Sequence, residues 1–145
     1  MSRFLPRAIA FAILSVLLMM VGSVIALLVL VGAPTSAGDV AGFQHEAAVR
    51  AGMVDLIVGP IVMVVTGWFV ARPFAGRDAL AAAGLMVAVY ILIDLGIVFL
   101  FGDPGQMALA TTGRSYAFKV AAALIGGWLA SRTPEASEPV PLDEE

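Results

Sequence analysis

ALAAAGLMVAVYILIDLGIVFLF, residues 79–101, is a run of 23 residues carrying one charge, Asp94. A bilayer core is crossed by about 20 apolar residues rising about 1.5 Å each, so this run reads as a transmembrane helix. Apart from Asp94 it is apolar all round, which suits lipid better than a half-wetted surface. Asp78 before it is placed to act as an N-cap, and Gly102-Asp103-Pro104 after it is a stop.

Three further runs have the same character. One spans Ala8–Val31, between Pro6-Arg7 and Gly32-Ala33-Pro34; one spans about Met53–Ala71 and ends at Arg72-Pro73; one spans about Ser115–Ser131, ahead of Arg132. No stretch alternates apolar and polar residues with period two, so a β-barrel has no support. The expected fold is an all-α integral membrane protein, with four transmembrane helices in an up-down bundle over residues 1–132. Thr133–Glu145 holds three prolines and five acids with almost nothing to bury, and is expected to be a disordered acidic tail.

Composition agrees. The 145 residues are 61% hydrophobic and 13% charged, against about 25% charged in soluble domains. Without its acidic tail the chain is slightly basic. It lacks cysteine, which excludes disulfides, thiolate metal sites and lipoprotein anchoring. It lacks asparagine, which excludes N-glycosylation. No basic patch is interleaved with aromatics, so nucleic acid is not an expected partner.

Arginines set the orientation. Arg3, Arg7, Arg72, Arg77 and Arg132 fall at one side of the spans, and Arg50 and Arg114 at the other. The positive-inside rule then predicts both termini in the cytoplasm. Trp68 and Trp128 each precede a cytoplasmic-side arginine by four residues. They are expected as interfacial anchors stacked on Arg72 and Arg132. The first run is far longer than a signal-peptide core, so it reads as a retained span. The expected location is integral to the bacterial cytoplasmic (inner) membrane, with the lipid bilayer as first partner.

Asp39 is expected to cap an outer helix through Gln44, His45, Glu46 and Arg50, with Glu46 and Arg50 paired, running straight into span two. Gly59-Pro60 predicts a kink in that span. Gly67-Trp68-Phe69-Val70-Ala71-Arg72-Pro73 resembles Gly127-Trp128-Leu129-Ala130-Ser131-Arg132-Thr133-Pro134. A two-plus-two parallel repeat would produce that, and so would ordinary membrane-boundary composition.

The residues with chemistry are few. Lys119 is the only lysine, and it lies inside a span, as do Asp55 and Asp94. Counting from the cytoplasmic ends, Asp94 and Lys119 sit roughly 20 Å up and Asp55 about 25 Å up. A charge in hydrocarbon costs about 3 kcal/mol on insertion scales, so such groups face a bundle interior, pair, or line a path. Helical phase puts Tyr90 on the Asp94 face, Ser115 and Tyr116 on the Lys119 face, and Gly59, Val62 and Thr66 on the Asp55 face. The candidate polar site is therefore Asp55, Asp94, Lys119, Tyr90, Tyr116 and Thr66. Small-residue stripes, Gly22 with Ala26 and Ala122 with Gly126 and Ala130, are candidate packing faces.

Two functional readings are open. In the leading one the chain is a structural or interaction component, with Lys119 and Asp94 as a buried pair fixing helix register and the small-residue stripes meeting a second copy or another membrane protein. In the other it is a small transporter or proton- or ion-linked protein. Asp55, Asp94 and Lys119 then form a polar site open to the outer side, and so few spans would call for an oligomer. Catalysis is not expected. His45-Glu46-Ala47-Ala48-Val49 lacks the second histidine of a zinc-protease motif, and no phosphate loop or nucleophile elbow occurs. No metal site and no cofactor is expected, since one histidine and no cysteine leave no ligand set for zinc or haem.

Overall fold

The computed structural model describes residues 4–35, 39–101 and 109–132. They form four helices: α1 (Leu5–Val31), α2 (Asp39–Ala71), α3 (Gly76–Phe101) and α4 (Leu109–Arg132). No strand occurs among the described residues. The expected stop at Gly102–Pro104 and the acidic tail lie outside them.

Alternating direction is evident from which residues meet. Ser15 on α1 reaches Thr66 on α2, and Gly22 faces Val58, so these two helices run antiparallel. Tyr116 on α4 reaches Asp94 on α3, while Gly127 faces Ala79 and Ala83, so this pair is antiparallel too. Gly59 against Lys119 and Gly67 against Ala123 make α2 and α4 parallel neighbours. Their contact is the most extensive in the molecule. The paired stretches ending α2 and α4 therefore lie at one end of the bundle, but their surroundings differ, since α2 also packs on α3 and α1 has no comparable contact with α4.

The α2–α4 contact is close because glycine permits it. A methyl group at Gly67 would lie 2.5 Å from the Ala123 carbonyl oxygen. One at Gly126 would collide with the Val64 carbonyl oxygen and lie 2.8 Å from the Trp68 nitrogen. Both obstacles are backbone, so the two helices touch main chain to main chain. Gly127 does the same for α3, where a methyl would meet Ala83 Cβ at 2.8 Å. Ala122, Ala123 and Ala130 fill the rest of this seam and are buried, whereas Ala26 on α1 is half-buried. The stripe of Ala122, Gly126 and Ala130 is thus consumed inside the chain and is not offered to a partner.

Around this seam the exposed surface is apolar. Leu17, Met20 and Val29 on α1, Leu92 and Leu100 on α3, and Ile57 and Ile61 on α2 are all exposed. Soluble monomers do not carry so continuous an apolar surface, and lipid tails are its natural cover. Helices α1, α2 and α3 are long and apolar enough to cross a membrane; α1 is the least buried of them and α2 the most. Helix α4 is not in that set. Arg114, Lys119 and its hydroxyl and glycine residues dilute its hydropathy, so the expectation of four spans is met by three.

Helix α2 has 33 residues, about 50 Å of rise, and runs unbroken through Pro60. It exceeds a hydrocarbon core of about 30 Å, and the excess is the polar stretch from Asp39 to Arg50. Here Glu46 and Arg50 pair at 3.4 Å, both substantially exposed. At the other end of α2 every terminal carbonyl has a partner. Arg72 N–H donates to Trp68, the Arg7 guanidinium to Phe69 at 2.7 Å and Val70 at 3.1 Å, and Phe74 N–H to Ala71. Arg7 on α1 therefore caps α2 at its negative dipole end, and Phe4 meets Phe74 edge to face beside it. Helix α3 begins at Gly76, whose φ of 54° makes the turn, so Asp78 lies within the first turn and is not the N-cap expected from sequence.

Candidate functional site

Lys119 is 3% exposed. A lysine in that position needs room for its stem and a counter-charge for its head. Gly59 supplies the room: a methyl there would lie 2.7 Å from Lys119 Cε. Asp55, one helical turn from Gly59 on α2, supplies the charge. Lys119 Nζ stands 2.8 Å from Asp55 Oδ1 and 3.1 Å from Oδ2, and the Ser115 hydroxyl donates to Oδ2 at 2.5 Å. The rings of Tyr90 and Tyr116 flank the ammonium, with centroids 5.5 and 5.6 Å away.

The pair expected from sequence was Lys119 with Asp94, and the structure gives the lysine to Asp55 instead. Parallel contact between α2 and α4 brings Asp55 beside Lys119. Asp94 instead accepts a hydrogen bond from the Tyr116 hydroxyl at 2.6 Å, one turn from Lys119 on the same helix. Its other oxygen accepts no hydrogen bond among the described residues.

All of these groups line one cavity of about 620 Å³, to which every helix contributes. Helix α1 gives Val16, Met19, Met20 and Ser23; α2 gives Ala51, Gly52, Asp55 and Leu56; α3 gives Tyr90, Asp94, Ile97 and Val98; α4 gives Thr112, Ser115, Tyr116 and Lys119. Toward the Arg7 end the interior is filled: Met63, Met86, Ala83 and Ala123 are fully buried. Toward the other end the Asp55 side chain is 34% exposed. The walls are mainly apolar and the polar groups few, the usual make-up of a small-molecule site of about 300–1,000 Å³.

Five of the six sequence-derived polar candidates meet at this cavity: Asp55, Asp94, Lys119, Tyr90 and Tyr116. Thr66 does not. It lies three turns away along α2, about 16 Å, within hydrogen-bond reach of Ser15 Oγ at 3.0 Å. Its own hydroxyl donates to the Val62 carbonyl at 2.8 Å. Helical phase put it on the Asp55 face, but phase does not encode depth. Ser115 and Gly59, which helical phase places on the Lys119 and Asp55 faces, also belong to the site, as do Ser23 and Thr112, which the sequence does not mark. Ser115 was visible as a hydroxyl one turn before Lys119. Gly59, half of the expected kink and a member of the Asp55 face, also admits the lysine stem.

The remaining named residues lie elsewhere. Arg72 sits over the Trp68 ring at 5.3 Å and Arg132 over Trp128 at 4.0 Å, both at the Arg7 end. His45 is exposed on the N-terminal stretch of α2. Among the described residues no group of three histidine or carboxylate side chains is placed to hold a metal ion. No protein-family description, curated protein or solved structure matches this chain, so its site is read on its own chemistry.

Proposed function

We propose that the chain is a membrane protein whose four helices enclose a ligand-binding pocket in the outer half of the bilayer. The observation that carries this reading is the shared cavity, with an ion pair on one wall and a carboxylate on another that has an oxygen to spare. A purely structural ion pair needs no cavity, and small dry gaps cost stability. The Lys119–Asp55 pair fastens α2 to α4 and shapes the pocket. Asp94 is the group left to act on what enters.

In this reading α4 spans as well. Ser115 and Lys119 are buried on its inner face, while Phe118, Ile125 and Leu129 face outward. That inside-out pattern suits a helix in lipid, although its average hydropathy is lower. Both termini lie on the cytoplasmic side, supported by Arg7, Arg72, Arg77 and Arg132 at one end against Arg50 and Arg114 at the other. Binding is favoured over catalysis, because Lys119, Asp55, Ser115 and Tyr116 are already engaged with one another or with Asp94 within the cluster.

The natural lack of cysteine makes the test direct. Single cysteines at Ser23 and Thr112, on the cavity wall, are expected to react with a membrane-impermeant charged thiol reagent added from outside. A cysteine at Leu92, exposed on the outer surface of α3, is expected to stay unlabelled in lipid. Equal protection of all three positions would remove the open pocket. Labelling of Ser23→Cys and Thr112→Cys from the cytoplasmic side alone would reverse the orientation.

A further inference from the structure

We infer that the pocket selects an amphipathic cation, an ammonium head with an apolar body, and that Asp94 is its anchor. This rests on the pocket reading above and adds the chemical class of the ligand. Two carboxylates and one ammonium line the cavity, leaving one negative charge in excess.

The excess is localised. Lys119 holds both oxygens of Asp55 within 3.1 Å, so neither partner has a charge to give. An anionic ligand would have to displace Asp55 from a lysine that is 3% exposed. A cationic ligand displaces nothing, because one Asp94 oxygen is unengaged and the Tyr116 hydroxyl steadies the other. A bare metal ion fits poorly, since hard cations want several oxygen ligands and the walls here are Val16, Leu56, Ile97 and Val98. Those side chains suit the apolar body of the ligand, and about 620 Å³ leaves space for it.

The experiment uses the full chain in nanodiscs of zwitterionic lipid, with isosteric probes: phenylbutylamine, phenylbutanol and phenylbutanoate. Calorimetric titration is expected to show the amine binding about tenfold or more tighter than the alcohol, with the carboxylate weakest, as a desolvated charge pair predicts. Asp94→Asn keeps an acceptor for Tyr116 and removes the charge, so amine affinity should fall to that of the alcohol. Asp94→Glu, which keeps the charge, should retain the preference and guards against a folding artefact. If the alcohol or the carboxylate binds as tightly as the amine, the cation assignment is overturned while the pocket stands. Amine binding that Asp94→Asn leaves unchanged overturns the anchor. If no probe binds above empty nanodiscs, the cation assignment also falls, and the cysteine labelling decides separately whether the pocket is open.

Discussion

Alanine at Gly126 is expected to destabilise the bundle by about 2 kcal/mol or more, in the range of overpacked cores. The sign is the informative part. In an unobstructed helix, alanine is favoured over glycine by roughly 0.5–1 kcal/mol. At Gly126 the added methyl would collide with the Val64 carbonyl oxygen and crowd the Trp68 nitrogen, and neither can rotate away. Helices α2 and α4 would have to separate along their most extensive contact, carrying Lys119 away from Asp55. Gly113, on the same helix, has open space where a side chain would go, so Gly113→Ala is the matched control and is expected to be neutral or stabilising. Thermal unfolding of both variants in one detergent checks the pair. Similar shifts of the same sign would show that α4 does not sit against α2 at Gly126.

The second large effect is an asymmetry within the ion pair. Asp55→Asn leaves an ammonium that is 3% exposed without a counter-charge, and is expected to cost about 3–5 kcal/mol. Lys119→Met should cost less, because the Asp55 side chain is 34% exposed and keeps the Ser115 hydroxyl. Combining the two should recover much of the loss, as when a buried pair is replaced whole. Asp94→Asn should be nearly silent in stability, since Tyr116 keeps an acceptor. Chemical or thermal unfolding of the four variants checks the order. A costly Asp94→Asn beside a mild Asp55→Asn would mean that the lysine pairs with the other acid.

That distinction is where sequence reading ran out. The run at residues 79–101 and its companions in α1 and α2 are legible as spans because a bilayer imposes a length, and Gly, Pro and Arg mark where it is met, whereas α4 is legible as a helix only. The placement of three charges at similar depth was legible too, since rise per residue is fixed. Which acid meets Lys119 depends on which helices are neighbours, and that is decided by contacts at Gly67, Ala123 and Gly126 that no periodicity reveals. Gly126 was visible as one member of a small-residue stripe, but not whether its partner would be α2, α3 or another chain. Thr66 was misplaced because a helix face extends along the whole span, whereas a pocket occupies only a few turns of it. The lower hydropathy of α4 shares part of its origin with the site: Ser115 and Lys119 face inward, where hydropathy averages do not distinguish them from polar residues facing lipid.

Lys119 belongs to Asp55 and leaves Asp94 free at the cavity. Because Lys119 is the only lysine, isotopic labelling of lysine Nζ yields a single solid-state NMR signal from the chain in lipid. Its dipolar coupling to labelled aspartate carboxyl carbons can be measured directly. The structure predicts a strong coupling, from a carboxylate whose oxygens lie 2.8 and 3.1 Å from Nζ, that disappears in Asp55→Asn and persists in Asp94→Asn. A coupling that survives Asp55→Asn and vanishes in Asp94→Asn would assign the lysine to Asp94 and leave Asp55 as the free acid.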